Sequence, residues 1–227
     1  MKKTLCLFAI FTCFQLAVQA DFDLFYDAYL ENKRHNMGFF DKISGSPYEY
    51  EEFIASKVYF KGNATPIQSP MRYNLLFDEM EFKDAKGEGF LIVDKKETID
   101  SIIIGGETFV FLQYKIKNDS IKGFFIQLVS GNNKLYQKRL KGYTPEKQPT
   151  GGYQDYAPAT IFEKPIEYYL HVSNSTPQKL PGSINGIVRF MKEKGCDLSQ
   201  MVKKEKLKYN SESIVKLVNV FNFQNMH

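Results

Sequence analysis

The middle of the chain alternates between apolar and polar residues in the way that β-strands do. Short apolar runs bounded by glycine, asparagine or proline follow one another from residue 57 to residue 141. The clearest pair flanks Gly105-Gly106, because two glycines supply the positive φ angles that a two-residue hairpin turn requires. Since no helical pattern separates the runs, they predict an antiparallel meander rather than a parallel sheet.

The stretch MRYNLLFDEMEF, residues 71–82, shifts the phase of this alternation. Apolar residues occupy odd positions as far as Phe77 and even positions from Met80 onward. A hairpin with Asp78-Glu79 at its turn would return these apolar side chains to one face. Its cross-strand pairs would be Phe77 with Met80 and Leu75 with Phe82. A one-residue bulge in a continuous strand would also explain the shift.

The same stretch contains three carboxylates, Asp78, Glu79 and Glu81, a few residues after Arg72. In either arrangement Glu81 points away from the core, and Asp78 and Glu79 are exposed. A catalytic carboxylate pair needs an apolar pocket for one member, and a calcium loop needs a glycine that this stretch lacks. We therefore interpret the three carboxylates as the polar side of a turn or bulge, with calcium binding or catalysis as the alternative.

The end of the chain has a helical period. Three short amphipathic helices are predicted there, capped by Ser183 or Asn185, by Asp197 and by Ser211. The apolar face of the third would comprise Ile214, Leu217, Val218 and Phe221. The fold class predicted is mainly β, a β-rich α+β protein. Its meander would form a curved sheet or partial barrel, with a short N-terminal helix and small C-terminal helices.

The amino terminus has the pattern of a secretory signal peptide. A basic Met1-Lys2-Lys3 precedes the apolar run Leu5–Val18, and a small-residue cleavage site ends at Ala20, before Asp21. The run of about 14 apolar residues is too short to span a membrane as a helix; lipidation at Cys13 is an alternative. The chain is thus predicted to comprise a signal peptide (1–20), an N-terminal helix or extension (21–44), an antiparallel β domain (45–180) and a helical segment packed on it (181–227).

Cleavage would change what the composition implies. Only Cys196 would remain, so the mature chain would form no internal disulfide and would depend on a core rich in phenylalanine and tyrosine. The formal net charge would fall from +4 to +2, which is too balanced to indicate a nucleic-acid partner. No second apolar stretch is long enough for a transmembrane helix, so none is predicted in the mature chain.

A long irregular segment between Gly142 and Pro165 offers the best binding candidates. Tyr143, Tyr153 and Tyr156 lie on a backbone rich in glycine and proline, a composition suited to contacts with sugars or peptides. The alternative is that these rings cover the edge of the sheet.

The remaining reactive residues give little indication of chemistry. His35, His171 and His227 are far apart and have no metal-ligand spacing, so neither a metal nor a cofactor is predicted. His171 is interpreted as a strand residue on one face with Glu167 and Tyr169. Cys196 is interpreted as a small packed residue, and no catalytic residue is assigned.

Several motifs together resemble a family of secreted, β-rich envelope proteins of Gram-negative bacteria with no assigned activity. The motifs are Gly45-Ser46-Pro47-Tyr48, Glu52-Phe53, Arg72-Tyr73-Asn74, Asp78-Glu79-Met80-Glu81-Phe82, Ile104-Gly105-Gly106-Glu107-Thr108-Phe109 and Leu217-Val218-Asn219. Many relatives read Tyr-Tyr-Asn where this chain has Val220-Phe221-Asn222. The resemblance implies an exported, envelope-associated protein without catalysis. Its predicted location is periplasmic, outer-membrane-associated or extracellular.

The function predicted is that of a non-enzymatic binding or scaffold protein whose partner is an envelope protein, a glycan or a lipid. The alternative is a carrier of an apolar ligand in a half-open sheet, for which a cavity lined by phenylalanines would be needed. Those phenylalanines are Phe109, Phe111, Phe124 and Phe125. A hydrolase with dispersed catalytic residues is less favoured.

Overall fold

The computed structural model describes residues 40–83, 89–116, 119–147, 156–173 and 175–224. Within these residues, ten strands form one antiparallel sheet, two strands form a separate ribbon, and three short α-helices follow. The mainly β, antiparallel fold predicted from the alternation pattern is therefore confirmed. The predicted N-terminal helix lies outside the described residues, except for residues 40–44, which are not helical.

The strands are short and most are joined by tight connections. They are β1 (Ile54–Phe60), β2 (Ile67–Asn74), β3 (Glu79–Lys83), β4 (Phe90–Ile92), β5 (Ile99–Ile104), β6 (Glu107–Ile116), β7 (Asp119–Val129), β8 (Asn133–Lys138), β9 (Lys141–Thr144), β10 (Thr160–Glu163), β11 (Glu167–Val172) and β12 (Gln178–Lys179). The sheet has the order β12-β11-β8-β7-β6-β5-β1-β2-β3-β4, so β12 and β4 form its two edges. The ribbon is the pair β9-β10.

The described chain falls into two compact units. Unit 1 contains the described parts of residues 40–53, 70–93 and 141–163; unit 2 contains those of residues 54–69, 94–140 and 164–224. In unit 2 the hairpin predicted at Gly105-Gly106 is confirmed, with Ile104 paired to Glu107 and φ angles of 59° and 82° at the two glycines.

The three helices belong to unit 2: α1 (Ile184–Glu193), α2 (Ser199–Glu205) and α3 (Ser211–Gln224). Ser183 caps α1 by accepting a hydrogen bond from the main-chain nitrogen of Gly186. The predicted apolar face of α3 is buried against Leu135 and Leu170 of the sheet, together with α1 and α2. None of the helices in the described chain is long and apolar enough to cross a membrane.

The predicted hairpin in residues 71–82 is confirmed, but its register is not. Tyr73 pairs with Met80 and Asn74 with Glu79, so the connection is Leu75–Asp78. The predicted pairs of Phe77 with Met80 and Leu75 with Phe82 are therefore wrong. The reason is Asn74, whose side-chain oxygen accepts hydrogen bonds from the main-chain nitrogens of Leu76 and Phe77 and starts the turn earlier.

Candidate functional site

The carboxylates of this hairpin are not the exposed groups that the alternation pattern predicts. Glu81 is completely buried and Glu79 is 5% exposed, which corrects the prediction for both; Asp78 is half-buried and accepts a hydrogen bond from the Tyr73 hydroxyl. Arg72 Nε donates to Glu81 Oε2 at 2.9 Å, and Asn74 Nδ2 donates to Glu81 Oε1 at 3.0 Å. A buried carboxylate is tolerated here because both of its oxygens have partners.

Aromatic rings complete the surroundings of Arg72. Its Cζ lies 3.6 Å from the ring centroid of Tyr48 and 4.4 Å from that of Phe53. Its Nη2 also donates to the Tyr48 hydroxyl at 2.7 Å. Burial, and then the Glu81 charge, raises the pKa of Tyr48, so this hydroxyl remains protonated. The guanidinium, carboxylate and phenol are held by one another inside unit 1, which is the arrangement of a structural network.

A second polar network, which sequence reasoning missed, lies in unit 2. Arg139 Nη2 donates to Glu107 Oε1 at 2.6 Å, and Arg139 Nε donates to Gln137 Oε1 at 2.9 Å. Gln137 Nε2 lies 3.0 Å from Ser211 Oγ. Ser211 Oγ is also 2.7 Å from the Tyr168 hydroxyl. Neither partner of Ser211 is the imidazole base that typically activates a serine nucleophile. The network therefore joins the first residue of α3 to the sheet, and its members are too far apart in sequence to form a recognisable motif.

The four phenylalanines proposed for an apolar ligand do not share a face. Phe111 pairs with Phe124 across β6 and β7, whereas Val110 pairs with Phe125, so Phe124 and Phe125 point to opposite sides. Phe125 packs against Tyr136 and Tyr169, with ring centroids 6.4 Å and 5.3 Å away. These four residues therefore do not line a single cavity.

His171 lies on the Tyr136 and Tyr169 side of β11, as interpreted from the sequence. Its ring contacts those of Tyr114 and Tyr136, with centroids 5.8 Å and 6.5 Å away. Burial, and then the charge of Lys134, holds the pKa of His171 below its usual value.

This shift predicts a pH dependence of stability. The unfolded chain protonates His171 near pH 6.5, whereas the folded protein resists protonation there. The contribution of this group to the free energy of unfolding should therefore be complete above about pH 6.5 and be lost as pH falls towards the lower folded pKa. Urea denaturation across this range should show a smaller loss of stability for His171→Gln than for the wild type. Identical pH profiles would contradict the assignment.

Cys196 is packed, in line with its sequence interpretation. It is 2% exposed, its Sγ lies 2.9 Å from Gln224 Oε1, and burial raises the pKa of its thiol. A raised thiol pKa lowers the fraction of reactive thiolate. Among the described residues, no group of three or more histidine, cysteine, aspartate or glutamate side chains could hold a metal ion.

The tyrosines predicted for binding separate into different environments. Tyr143 lies in β9 opposite Ile161 and packs, half-buried, on the core of unit 1. Tyr156 is 55% exposed, and its hydroxyl lies 3.4 Å from Glu146 Oε2. Tyr153 lies outside the described residues, as do Ala20 and Asp21 of the predicted cleavage site. The candidate surface is therefore that of Tyr156 rather than Tyr143.

Phe162 is a second exposed aromatic residue of the same segment, and it was not predicted from the sequence. It lies opposite Gly142 on the ribbon face away from Tyr143 and is 47% exposed. A Cβ added to Gly142 would lie 2.4 Å from the Phe162 Cζ, so the far end of the ring covers the glycine. An aromatic ring that packs over a glycine and is still half exposed offers a preformed contact surface.

The ribbon is fixed to the rest of unit 1 on both strands. Lys141 in β9 donates through Nζ to the main-chain oxygens of Ser46 and Tyr48, at 2.9 Å and 3.0 Å. In β10 the main-chain nitrogen of Ile161 donates to the oxygen of Ser44 at 2.8 Å. Because the Tyr48 side chain also bonds Arg72, the buried network and the ribbon share one anchoring residue.

Gly45 permits this anchoring and makes it testable. Gly45 and Gly62 have φ angles of 89° and 79°, so alanine strains the backbone at both positions. A Cβ on Gly45 would also lie 2.4 Å from the Ile161 main-chain oxygen, whereas one on Gly62 meets nothing within 4 Å. In urea denaturation we expect Gly62→Ala to lower the free energy of unfolding by about 1 kcal/mol and Gly45→Ala to lower it further. Equal losses of stability in the two variants would show that the close approach of Gly45 to the Ile161 main-chain oxygen does not affect the free energy of unfolding.

Comparison with known proteins adds no relationship: no family model, curated protein or solved structure matches this chain.

Proposed function

We propose that this chain is an exported, non-enzymatic binding protein of the cell envelope and that Phe162 of the ribbon and Tyr156, which precedes β10, carry its binding surface. The observation that supports the proposal is the exposure of Phe162 and Tyr156, 47% and 55%, on a segment anchored through both β9 and β10. Large aromatic side chains held in one position contribute contact area at little cost in conformational entropy.

The neighbouring residues indicate the chemistry of the partner. Glu146 and Lys147 are exposed beside Tyr156: the Tyr156 hydroxyl lies 3.4 Å from Glu146 Oε2, and Lys147 pairs with Ala157, the residue after Tyr156. Groups of both charges therefore lie near the Tyr156 ring. Binding surfaces commonly combine apolar anchors with a polar rim. Such a surface suits a partner that presents an apolar face beside hydrogen-bonding groups, as sugar rings and peptides do.

Export is supported by the amino-terminal sequence alone. The basic start, the apolar run Leu5–Val18 and the small residues before Asp21 have the order of a cleavable secretory signal. The mature protein should then begin at Asp21, and its intact mass tests this directly. A mass that retains residues 1–20 would contradict cleavage at this site.

Native mass spectrometry of the protein purified from the cells that produce it tests the binding proposal. The wild type should retain a partner, which the mass identifies as a glycan, peptide or lipid adduct. The double variant Phe162→Ser, Tyr156→Ser should lose it, because both exposed rings are removed.

The matched control is Ile67→Ser, Phe223→Ser, which removes exposed apolar side chains of unit 2. This variant should retain the partner. Loss from the control but not from the ribbon variant, or a wild-type protein without any partner, would contradict the proposal.

A further inference from the structure

Unit 2 contains a polar pocket that none of the preceding functions uses. It has a volume of about 320 Å³ and lies where β8 begins and β11 ends, beside Lys194 after α1 and Phe221 and Asn222 near the end of α3. This volume is at the lower end of the range for small-molecule sites, which runs from about 300 to 1,000 Å³. The pocket therefore has room for a small ligand.

Asn133 gives the pocket its unsatisfied hydrogen-bonding capacity. The residue is 2% exposed and lines the pocket, and its buried Oδ1 has no hydrogen-bond partner among the described residues. Buried acceptors of this kind are usually satisfied by protein, water or ligand. A donor that enters the pocket and reaches this oxygen would supply the missing partner.

The position of Asn133 is fixed from the helical side. The Asn222 side chain accepts from the Asn133 main-chain nitrogen at 3.1 Å and donates to its main-chain oxygen at 2.9 Å. These two hydrogen bonds to the Asn133 main chain hold the beginning of β8 against α3. They do not involve the Asn133 side chain. The Asn133 amide oxygen without a partner therefore belongs to a residue whose main chain is fixed, not to a loosely held strand end.

The other pocket walls define the class of ligand. Lys194, directly after α1, and Phe221 and Asn222, in the last turn of α3, line the pocket from the helical side. Lys194 supplies a donor, and its Nζ lies 4.8 Å from the Phe190 ring. Val172, which is half-buried, adds apolar surface. The lining residues include no carboxylate and only one cation, so they match neither a metal ion nor a strongly anionic ligand.

We propose that this pocket binds a neutral polyhydroxy ligand of monosaccharide size. Its hydroxyl groups donate to Asn133 Oδ1 and accept from Lys194 Nζ, and its C–H surface packs on Val172. A hydroxyl group can both donate and accept a hydrogen bond. It can therefore pair with the Asn133 oxygen, which needs a donor, and with the Lys194 ammonium group, which needs an acceptor. The site is in unit 2 and is independent of the ribbon proposed above.

Titration of the ¹⁵N-labelled protein with D-glucose, N-acetyl-D-glucosamine and glycerol, followed by amide NMR, tests the proposal. At least one of the two sugars should give saturable shifts at Asn132, Asn133 and Ser173. Glycerol should bind more weakly, because it lacks a ring to cover Val172. Absence of saturable shifts with both sugars, or equal binding of glycerol, would overturn the proposal.

Two variants and a control separate the site from general surface contact. Lys194→Met keeps the aliphatic stem but removes the donor, and it should weaken sugar binding about tenfold, as the loss of one charged hydrogen bond typically does. Asn133→Leu should weaken it at least as much. Lys192→Met, on an exposed side chain paired with Asp197, should leave binding unchanged. Shifts that survive both site variants, or that vanish in the control, would refute the assignment; Phe162→Ser should not affect them.

Discussion

Replacing Arg72 with methionine is expected to lower the free energy of unfolding by about 3–5 kcal/mol, the usual cost of removing one partner from a buried ion pair. Arg72 and Glu81 are 5% and 0% exposed. The variant therefore leaves the Glu81 carboxylate in the interior without its guanidinium partner, and it also removes the bond to the Tyr48 hydroxyl. Urea denaturation followed by tyrosine fluorescence measures the loss, since the chain has 14 tyrosines and no tryptophan.

The double variant Arg72→Met, Glu81→Met is the control for this effect. It removes the buried charge together with its partner, so it should be less destabilised than Arg72→Met alone. A loss below about 1 kcal/mol for the single variant would place the pair in the range of exposed ion pairs and contradict its buried setting.

Phe221→Ala should have an effect of similar size in unit 2. The Phe221 side chain is 1% exposed and packs in the core formed by the helices and the sheet. Truncating a buried phenylalanine costs about 3–5 kcal/mol, because apolar contacts are lost and a cavity remains. The free energy of unfolding from urea denaturation should fall by this amount.

Phe223→Ala provides a control of identical chemistry on the same helix. Phe223 is 68% exposed, so its truncation should change stability by no more than about 0.5 kcal/mol. Similar losses for the two variants would mean that the apolar face of α3 is not the one that packs on the sheet.

Features governed by local sequence were predictable. The Gly105-Gly106 turn follows from the φ angles that only glycine adopts easily. The buried face of α3 follows from the helical spacing of Ile214, Leu217, Val218 and Phe221. In both cases the signal and the structure that it determines lie within a few residues of each other.

The register of β2 and β3 was not predictable in this way. Apolar alternation locates a phase shift, but the position of the turn depends on the Asn74 side chain, which bonds the main chain of the turn. The burial of Glu81 depends on Arg72 and on the ring of Tyr48, 24 residues before Arg72. The local pattern of apolar and polar residues does not reveal that a polar residue is buried when its partners are distant in the sequence.

The proposed binding surface was predicted only in part from the sequence. The composition of residues 142–165 indicated exposed aromatics, but it did not distinguish Tyr143, which packs on the core, from Tyr156. Phe162 was missed because the segment was interpreted as a loop, whereas a four-residue strand places this ring on the outer face of the ribbon. Pairing of β10 with β9 therefore determines that Phe162 and Tyr143 lie on opposite faces of the ribbon.

Site-specific photo-cross-linking in the producing cells tests the central claim, that the ribbon binds a partner, most directly. The photoreactive amino acid p-benzoylphenylalanine is placed at position 162 in one variant and at position 223 in another, since both phenylalanines are exposed. Irradiation should give a discrete cross-linked species from position 162 and none from position 223. No product from position 162, or the same product from both positions, would contradict the claim.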